Sequence, residues 1–314
     1  MNKIRKHNQL SFAKLRNGGI ATAALVVLIS IIGLFSRGIN LGIDFTGGFI
    51  TEFNTSQSIS QARMNELLSS QIDGQYTLNS AESNRSWTVR QPEASNDVDQ
   101  QTWFNQWQQQ LLETQSDLSI GFLESDFIGS QVGTELLEQG GLALLTAFLL
   151  VLGYLAIRFE WRFALGALAA LLHDVIAVLG FFAWSQLEFN LTSLASLLAI
   201  IGYSLNDSII VADRVRELMK TNRFNCFNDL IKAAINSTLT RTLITSGTTL
   251  ATVCCLLWLA GVPLYGFSIA LFIGILVGTF SSIFIAAPMP ALIGLPIDYF
   301  KQLEIRQAKE LESL

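Results

Sequence analysis

Charge is scarce in this chain. Only 14% of its 314 residues are Asp, Glu, Lys or Arg, and 50% are hydrophobic; an ordinary soluble domain carries roughly a quarter charged residues. The shortage excludes a soluble globular protein and implies a polytopic membrane protein with one polar insert. Cysteine is equally thin. Cys226, Cys254 and Cys255 are the only three, and none falls between residues 37 and 138. No disulfide framework braces that insert, and three scattered thiols make a metal site unexpected. His7 and His173 are the only histidines, and no nucleophile–base set stands out. Neither an enzyme nor a cofactor is expected.

Long apolar runs are what the chain has instead. Six reach the length that crosses about 30 Å of hydrocarbon. They lie near Gly18–Phe35, Gly140–Ile157, Phe163–Trp184, Leu191–Ala212, Leu239–Ala260 and Leu264–Pro288. The last is long enough to be tilted, or broken near Pro288. Basic residues set the orientation. Lys3, Arg5, Lys6, Lys14 and Arg16 precede the first span without an acid. Arg158 and Arg162, then Arg214, Arg216, Lys220, Arg223 and Lys232, then Lys301, Arg306 and Lys309 fall on the same side. The turns near Glu188 and Gly261–Pro263 carry no basic residue and face outward. Both termini are therefore expected in the cytoplasm. The Phe35-Ser36-Arg37 exit offers no small-x-small cleavage pattern, so the first span reads as an uncleaved anchor. The chain divides into a head (1–17), a first span (18–36), an outward α+β domain (37–138), five more spans within 139–290, and a tail (291–314).

Between Arg37 and Glu138 the outward domain holds thirteen acidic residues against three basic ones, a net charge of −10. Such a surface repels nucleic acid and anionic headgroups. It reads as a solvated face, or as one that favours a basic or unfolded polypeptide. Its order is strand, helix, strand, strand, helix, strand, which fits a small ferredoxin-like layer. Phe49–Phe53, Gln75–Leu78, Ser86–Arg90 and Leu118–Leu123 are the strands. Ser58 is placed to cap a helix over Ile59–Ser70 that buries Ile59, Ala62, Leu67 and Leu68. Asp97–Thr114 is the second helix, with Trp103, Trp107 and Leu111 on one side, read as core. Gly42-Ile-Asp-Phe-Thr-Gly-Gly48 has no Walker lysine and enters a strand, so it reads as a tight turn rather than a phosphate cradle. Phe127–Leu136, with Gly129 and Gly133, is the matching stem.

Asp207 lies in the fourth apolar run, where a carboxylate costs roughly 2.5–3.5 kcal/mol on insertion scales. Ser196, Tyr203, Asp207 and Arg214 share a helical face with Asn206 beside it, and that face should look into a bundle or wet cavity. Arg241, Thr245 and Thr248 line one stripe of the fifth run, a hydroxyl track above a cation, and Gly247 would admit a close neighbour. The fourth and fifth spans run antiparallel, with Asp207 and Arg241 both in their inner halves. An arginine neighbour favours a charged carboxyl, whereas burial favours the neutral acid. A helix shift that broke the contact would load a proton, and one that remade it would release the proton. A static salt bridge that fixes packing is the alternative. His173-Asp174, in the third span, would extend a relay or serve as a hydrogen-bonded support.

Together these stretches resemble the SecF family, the smaller membrane subunits of the bacterial SecD–SecF export complex. The resemblance covers nearly the whole chain, through Gly42–Gly48, Gly129–Leu136, His173-Asp174, Gly202–Arg214 and Arg241–Thr249. It implies six spans similar to half of a resistance–nodulation–division transporter, with an outer domain in the periplasm and the rest in and under the inner membrane. Asp207 and Arg241 match the family's proton-path aspartate and arginine. The resemblance also implies SecD, the SecYEG channel, YajC and YidC as partners, and unfolded preprotein as the client, gripped on the outer side at the expense of the proton gradient. A proton-coupled small-molecule exporter and a passive scaffold subunit are the other readings.

Overall fold

The computed structural model describes residues 2–69, 76–81, 85–91, 105, 109, 120–221, 224, 226–261 and 264–312. Among these residues six helices are long and apolar enough to cross a membrane. They are α1 (Asn2–Arg37), α4 (Ser130–Arg158), α5 (Trp161–Ser185), α6 (Leu191–Lys220), α7 (Phe227–Leu259) and α8 (Tyr265–Ser281). Between α1 and α4 come a single helical turn, α2 (Ile43–Thr46), strand β1 (Gly48–Thr55), helix α3 (Gln61–Ser69) and strands β2 (Thr77–Ala81), β3 (Ser86–Gln91) and β4 (Ile120–Ile128). Two short helices, α9 (Met289–Leu292) and α10 (Tyr299–Glu312), follow α8.

The sheet has the order β2-β3-β1-β4, with every described pairing antiparallel. That is the strand order of the ferredoxin-like layer expected from the pattern. Phe53, Met64, Leu68, Leu78, Trp87, Val89 and Ile120 form its core. The helix register corrects one expectation. Met64 and Leu68, one turn apart, are the buried residues of α3, while Ala62 is exposed. The helix begins at Gln61, where Ser60 Oγ accepts from the Arg63 amide at 3.4 Å. The expected second helix, with Trp103 and Trp107, lies outside the described residues.

In the bundle α5, α6 and α8 are the most buried helices, and α1, α4 and α7 lie on their flanks. Side chains start two of the inner helices: Glu160 accepts from the Arg162 amide before α5, and Asn190 from the Ser193 amide before α6. The helices overrun the apolar stretches. α6 runs on to Lys220 and α7 starts at Phe227, because their polar ends keep helical hydrogen bonds beyond the apolar stretches. The last span does break near Pro288: a π-helical turn, Ser282–Ala286, separates α8 from α9.

β4 feeds directly into α4 with only Gly129 between them, so the second stem is a strand joined to a helix. The first connection is compact. Phe45, on α2, is buried in a cluster with Val178, Phe182, Leu197, Ile200 and Ala270 of the bundle. Gly47 has φ +73° and ψ 165°, a region open essentially to glycine alone. A Cβ there would lie 2.6 Å from the Ser130 backbone, and one on Gly133 would lie 2.8 Å from the Phe45 carbonyl oxygen. Gly47→Ala should therefore dislodge the joint between domain and bundle. The expected outcome is a melting point in detergent lowered by several degrees, with faster proteolysis of the outer domain; an unchanged melting point would contradict this close approach.

Candidate functional site

Two acids are buried inside the bundle, and their surroundings differ completely. Asp174, on α5, is fully buried. Its Oδ1 lies 2.9 Å from His173 Nδ1, and its Oδ2 accepts from Ser204 Oγ on α6 and from Ser281 Oγ on α8, the latter at 2.8 Å. With the proton on Nδ1, three donors converge on one carboxylate. The group is a polar knot that ties three helices together, and α8 closes on it because Gly278 offers no side chain at the crossing. Ser204 and Ser281 were not singled out from the sequence. The one signal for them was a serine in an otherwise apolar run.

Asp207, three residues after Ser204 on α6, is 1% exposed. Neither of its carboxyl oxygens has a hydrogen-bond partner. A buried carboxylate without donors is among the costliest arrangements a protein can hold. The neighbouring hydroxyls of Ser208 and Tyr203 and that of Thr242 on α7 are likewise buried without partners. Counting 1.5 Å per residue from Leu191 and from Leu259, the neighbouring ends of α6 and α7, Asp207 lies about 24 Å and Arg241 about 27 Å along its helix. The two residues are thus level on antiparallel, packed helices, and the charge of Arg241 is near enough to act on Asp207. They do not form an ion pair within 4 Å in this conformation, and Arg241 is exposed. It borders a cleft of about 400 Å³ between α4, α6 and α7, with Arg158, Asp213, Arg214, Glu217 and Ser237.

The remaining residues distribute between these two settings. Ser196 is buried, Tyr203 and Arg214 are half-buried, and Asn206 is exposed on the outer side of α6. Arg214 is engaged by Glu217 and Ser237. The hydroxyl track of α7 does not connect as a wire. Thr245, Thr248 and Thr249 donate to carbonyls of their own helix, as isolated hydroxyls in apolar helices commonly do. Within the stretch Arg241–Thr249, Ser246 reaches across to Thr279 on α8 at 2.8 Å. Gly247 meets nothing within 4 Å, so the close approach expected at it is not made within this chain. Among the described residues no group of three or more metal-ligating side chains occurs.

Comparison with known proteins adds to this geometry. A family profile described as protein export membrane protein SecD/SecF, C-terminal, matches residues 108–295, and the SecD/SecF GG motif matches residues 32–58. A protein translocase subunit SecF of Vibrio alginolyticus is 35% identical over 304 residues, covering 97% of this chain and 96% of the relative. Its counterpart from Rickettsia conorii is 37% identical over 276 residues, covering 84% and 85%. Among solved structures, SecDF of Thermus thermophilus, a translocon-associated membrane protein, superposes with a TM-score of 0.76 at 31% identity. That match covers 88% of this chain but only 38% of the SecDF chain.

Proposed function

Because this chain belongs to the SecD/SecF family of protein export membrane proteins, we propose that it serves the Sec translocase as a proton-driven subunit that completes preprotein export across the bacterial inner membrane. Asp207 carries the proton and Arg241 is its alternating counter-charge. One observation supports this above the others. Asp207 is buried in a spanning helix with no donor on either oxygen, while a level arginine stands unpaired with it. A proton removes the buried charge in that arrangement, and closure onto Arg241 would expel it. One charge crossing 100 mV yields about 2.3 kcal/mol, enough to bias a two-state equilibrium about fiftyfold. The Asp174 carboxylate, already satisfied by three donors, favours the supporting role for His173 and Asp174 rather than a place in the relay, although His173 Nε2 is buried without a partner.

SecD is the expected obligate partner. Gly202 and Asn206 on α6, and Arg241, Gly247 and Thr248 on α7, are exposed on spanning helices. Arginine facing hydrocarbon costs roughly 2.5–3.5 kcal/mol. A second membrane bundle laid over α6 and α7 removes that exposure. The remaining assignments follow the family: SecYEG, YajC and YidC as neighbours, residues 37–138 in the periplasm beside unfolded preprotein, and both termini in the cytoplasm. The basic residues of the inner loops support that orientation.

The test uses membrane vesicles that contain the complete complex and a preprotein arrested in transit. Collapsing the proton gradient with an uncoupler should slow preprotein release when this chain is present. Vesicles lacking it should release at the slow rate with or without the gradient. Equal gradient dependence in both preparations would refute the reading.

A further inference from the structure

The stretch Gly38–Gly48 does more than turn the chain. It is pinned on three sides, and each attachment leads to the start of α6. The Gly42 amide donates to the Phe189 carbonyl at 2.8 Å, and the Phe189 amide donates back to the Asn40 carbonyl at 2.8 Å. Leu41 and Phe189 thereby form a parallel bridge between the joint and the turn that precedes α6. The Phe45 ring lies over Phe189 at a centroid distance of 6.1 Å, and Phe189 meets Phe182 edge-on at 5.2 Å. The carboxylate of Asp44 then accepts from the Leu191 amide, the first of α6, at 2.8 Å. That helix already has its own cap in Asn190, whose Oδ1 takes the Ser193 amide at 2.9 Å. Its first turn is consequently shared between a local cap and one supplied by the outer domain's connection.

From this arrangement we infer that Asp44 is a positioning residue that couples α6, the helix of Asp207, to the outer sheet, so that the two shift as one rigid unit. The physical basis is the shortness of the path. Asp44 is four residues from Gly48, where β1 begins, and β1 is a central strand hydrogen-bonded on both sides, to β3 and β4. The intervening residues have little slack: α2 is a closed helical turn, Phe45 is locked in the bundle core, and Gly47 sits against the Ser130 backbone. A second tie lies beside the joint, where Arg90 of β3 pairs with Glu188 of the same turn next to Gly42, both side chains mostly buried. The orientation of the cap is also electrostatically sound, since a helix N-terminus favours a negative side chain. An axial shift of α6 would therefore be delivered to the sheet without loss in a flexible linker.

This inference rests on the proton-coupled reading of Asp207, and the experiment separates the two. Spin labels are placed at the exposed residues Asn54 of β1 and Phe35 of α1 in the full chain with its partner subunits, reconstituted in vesicles. The distance between them is recorded with and without a proton gradient, while infrared spectroscopy follows the Asp207 carboxyl. Wild type should show a gradient-dependent distance change together with a carboxyl signal. In Asp44→Ala the carboxyl signal should persist, and the population showing the gradient-dependent distance should fall about fivefold, the factor by which loss of a capping side chain ordinarily shifts an equilibrium. Asp44→Asn keeps an acceptor oxygen and should restore most of the motion, which a general loss of folding would not allow. An undiminished distance change in Asp44→Ala would overturn the coupling role and leave the proton site standing. A silent Asp207 carboxyl in wild type would overturn both.

Discussion

Asp207→Asn should abolish the gradient-driven part of export while the subunit remains in the membrane at wild-type abundance and bound to its partner. Asparagine matches aspartate in size and shape but can neither load nor release a proton. The two carboxyl oxygens make no hydrogen bond that the substitution would break. Removing a buried, unpartnered acid takes away a cost rather than a contact, so stability should hold or rise. The expected loss is the whole driving bias, about fiftyfold for one charge per 100 mV. It is measured as preprotein release from vesicles at matched subunit levels. Retention of the full gradient effect by this variant would end the proton-carrier account. Asp207 and Arg241 replaced together by apolar residues of similar size would give normal export only if the pair were packing elements.

Asp174→Ala should do the opposite: it should cost the fold before it costs any coupling. Ser204, Ser281 and His173 would lose their shared acceptor in the middle of three packed helices. An orphaned buried donor costs about 1–3 kcal/mol. Ser281 has a fallback, since its hydroxyl also lies 3.1 Å from the Gly278 carbonyl. Among the described residues no second acceptor is seen for Ser204. We expect a clearly lowered melting point and reduced abundance in the membrane, measured in detergent and by quantitative blotting. Asp174→Asn, which keeps an acceptor for the serines, should remain near wild type in both. Should Asp174→Ala fold normally yet lose gradient-driven release, the supporting role assigned to this acid would be wrong.

The contrast between the two acids marks where the sequence stopped being informative. Both read as costly carboxylates in apolar runs; the polar face around Asp207 and the arginine that opens the next run put Asp207 first, but the sequence does not show how either acid is satisfied. The difference comes from Ser204 and Ser281, which lie 30 and 107 residues from Asp174. Only helix packing brings them to it. The threonines of α7 show the converse error. Their spacing made a convincing polar track, yet a hydroxyl in a helix has a carbonyl of its own within reach, and most of them use it.

Local chemistry determined the rest directly. The apolar run lengths set six spans, the basic residues set their expected orientation, and alternation in the insert led to a four-stranded layer whose order the structure reproduces. These features depend on period and composition, which a linear chain displays in full. Tertiary structure alone decided which acid is satisfied, that Asp207 and Arg241 stand level but apart, and that Asp44 reaches the first amide of α6, 147 residues away. Those outcomes depend on distances between helices, and a hydrogen bond is made or missed within less than an ångström.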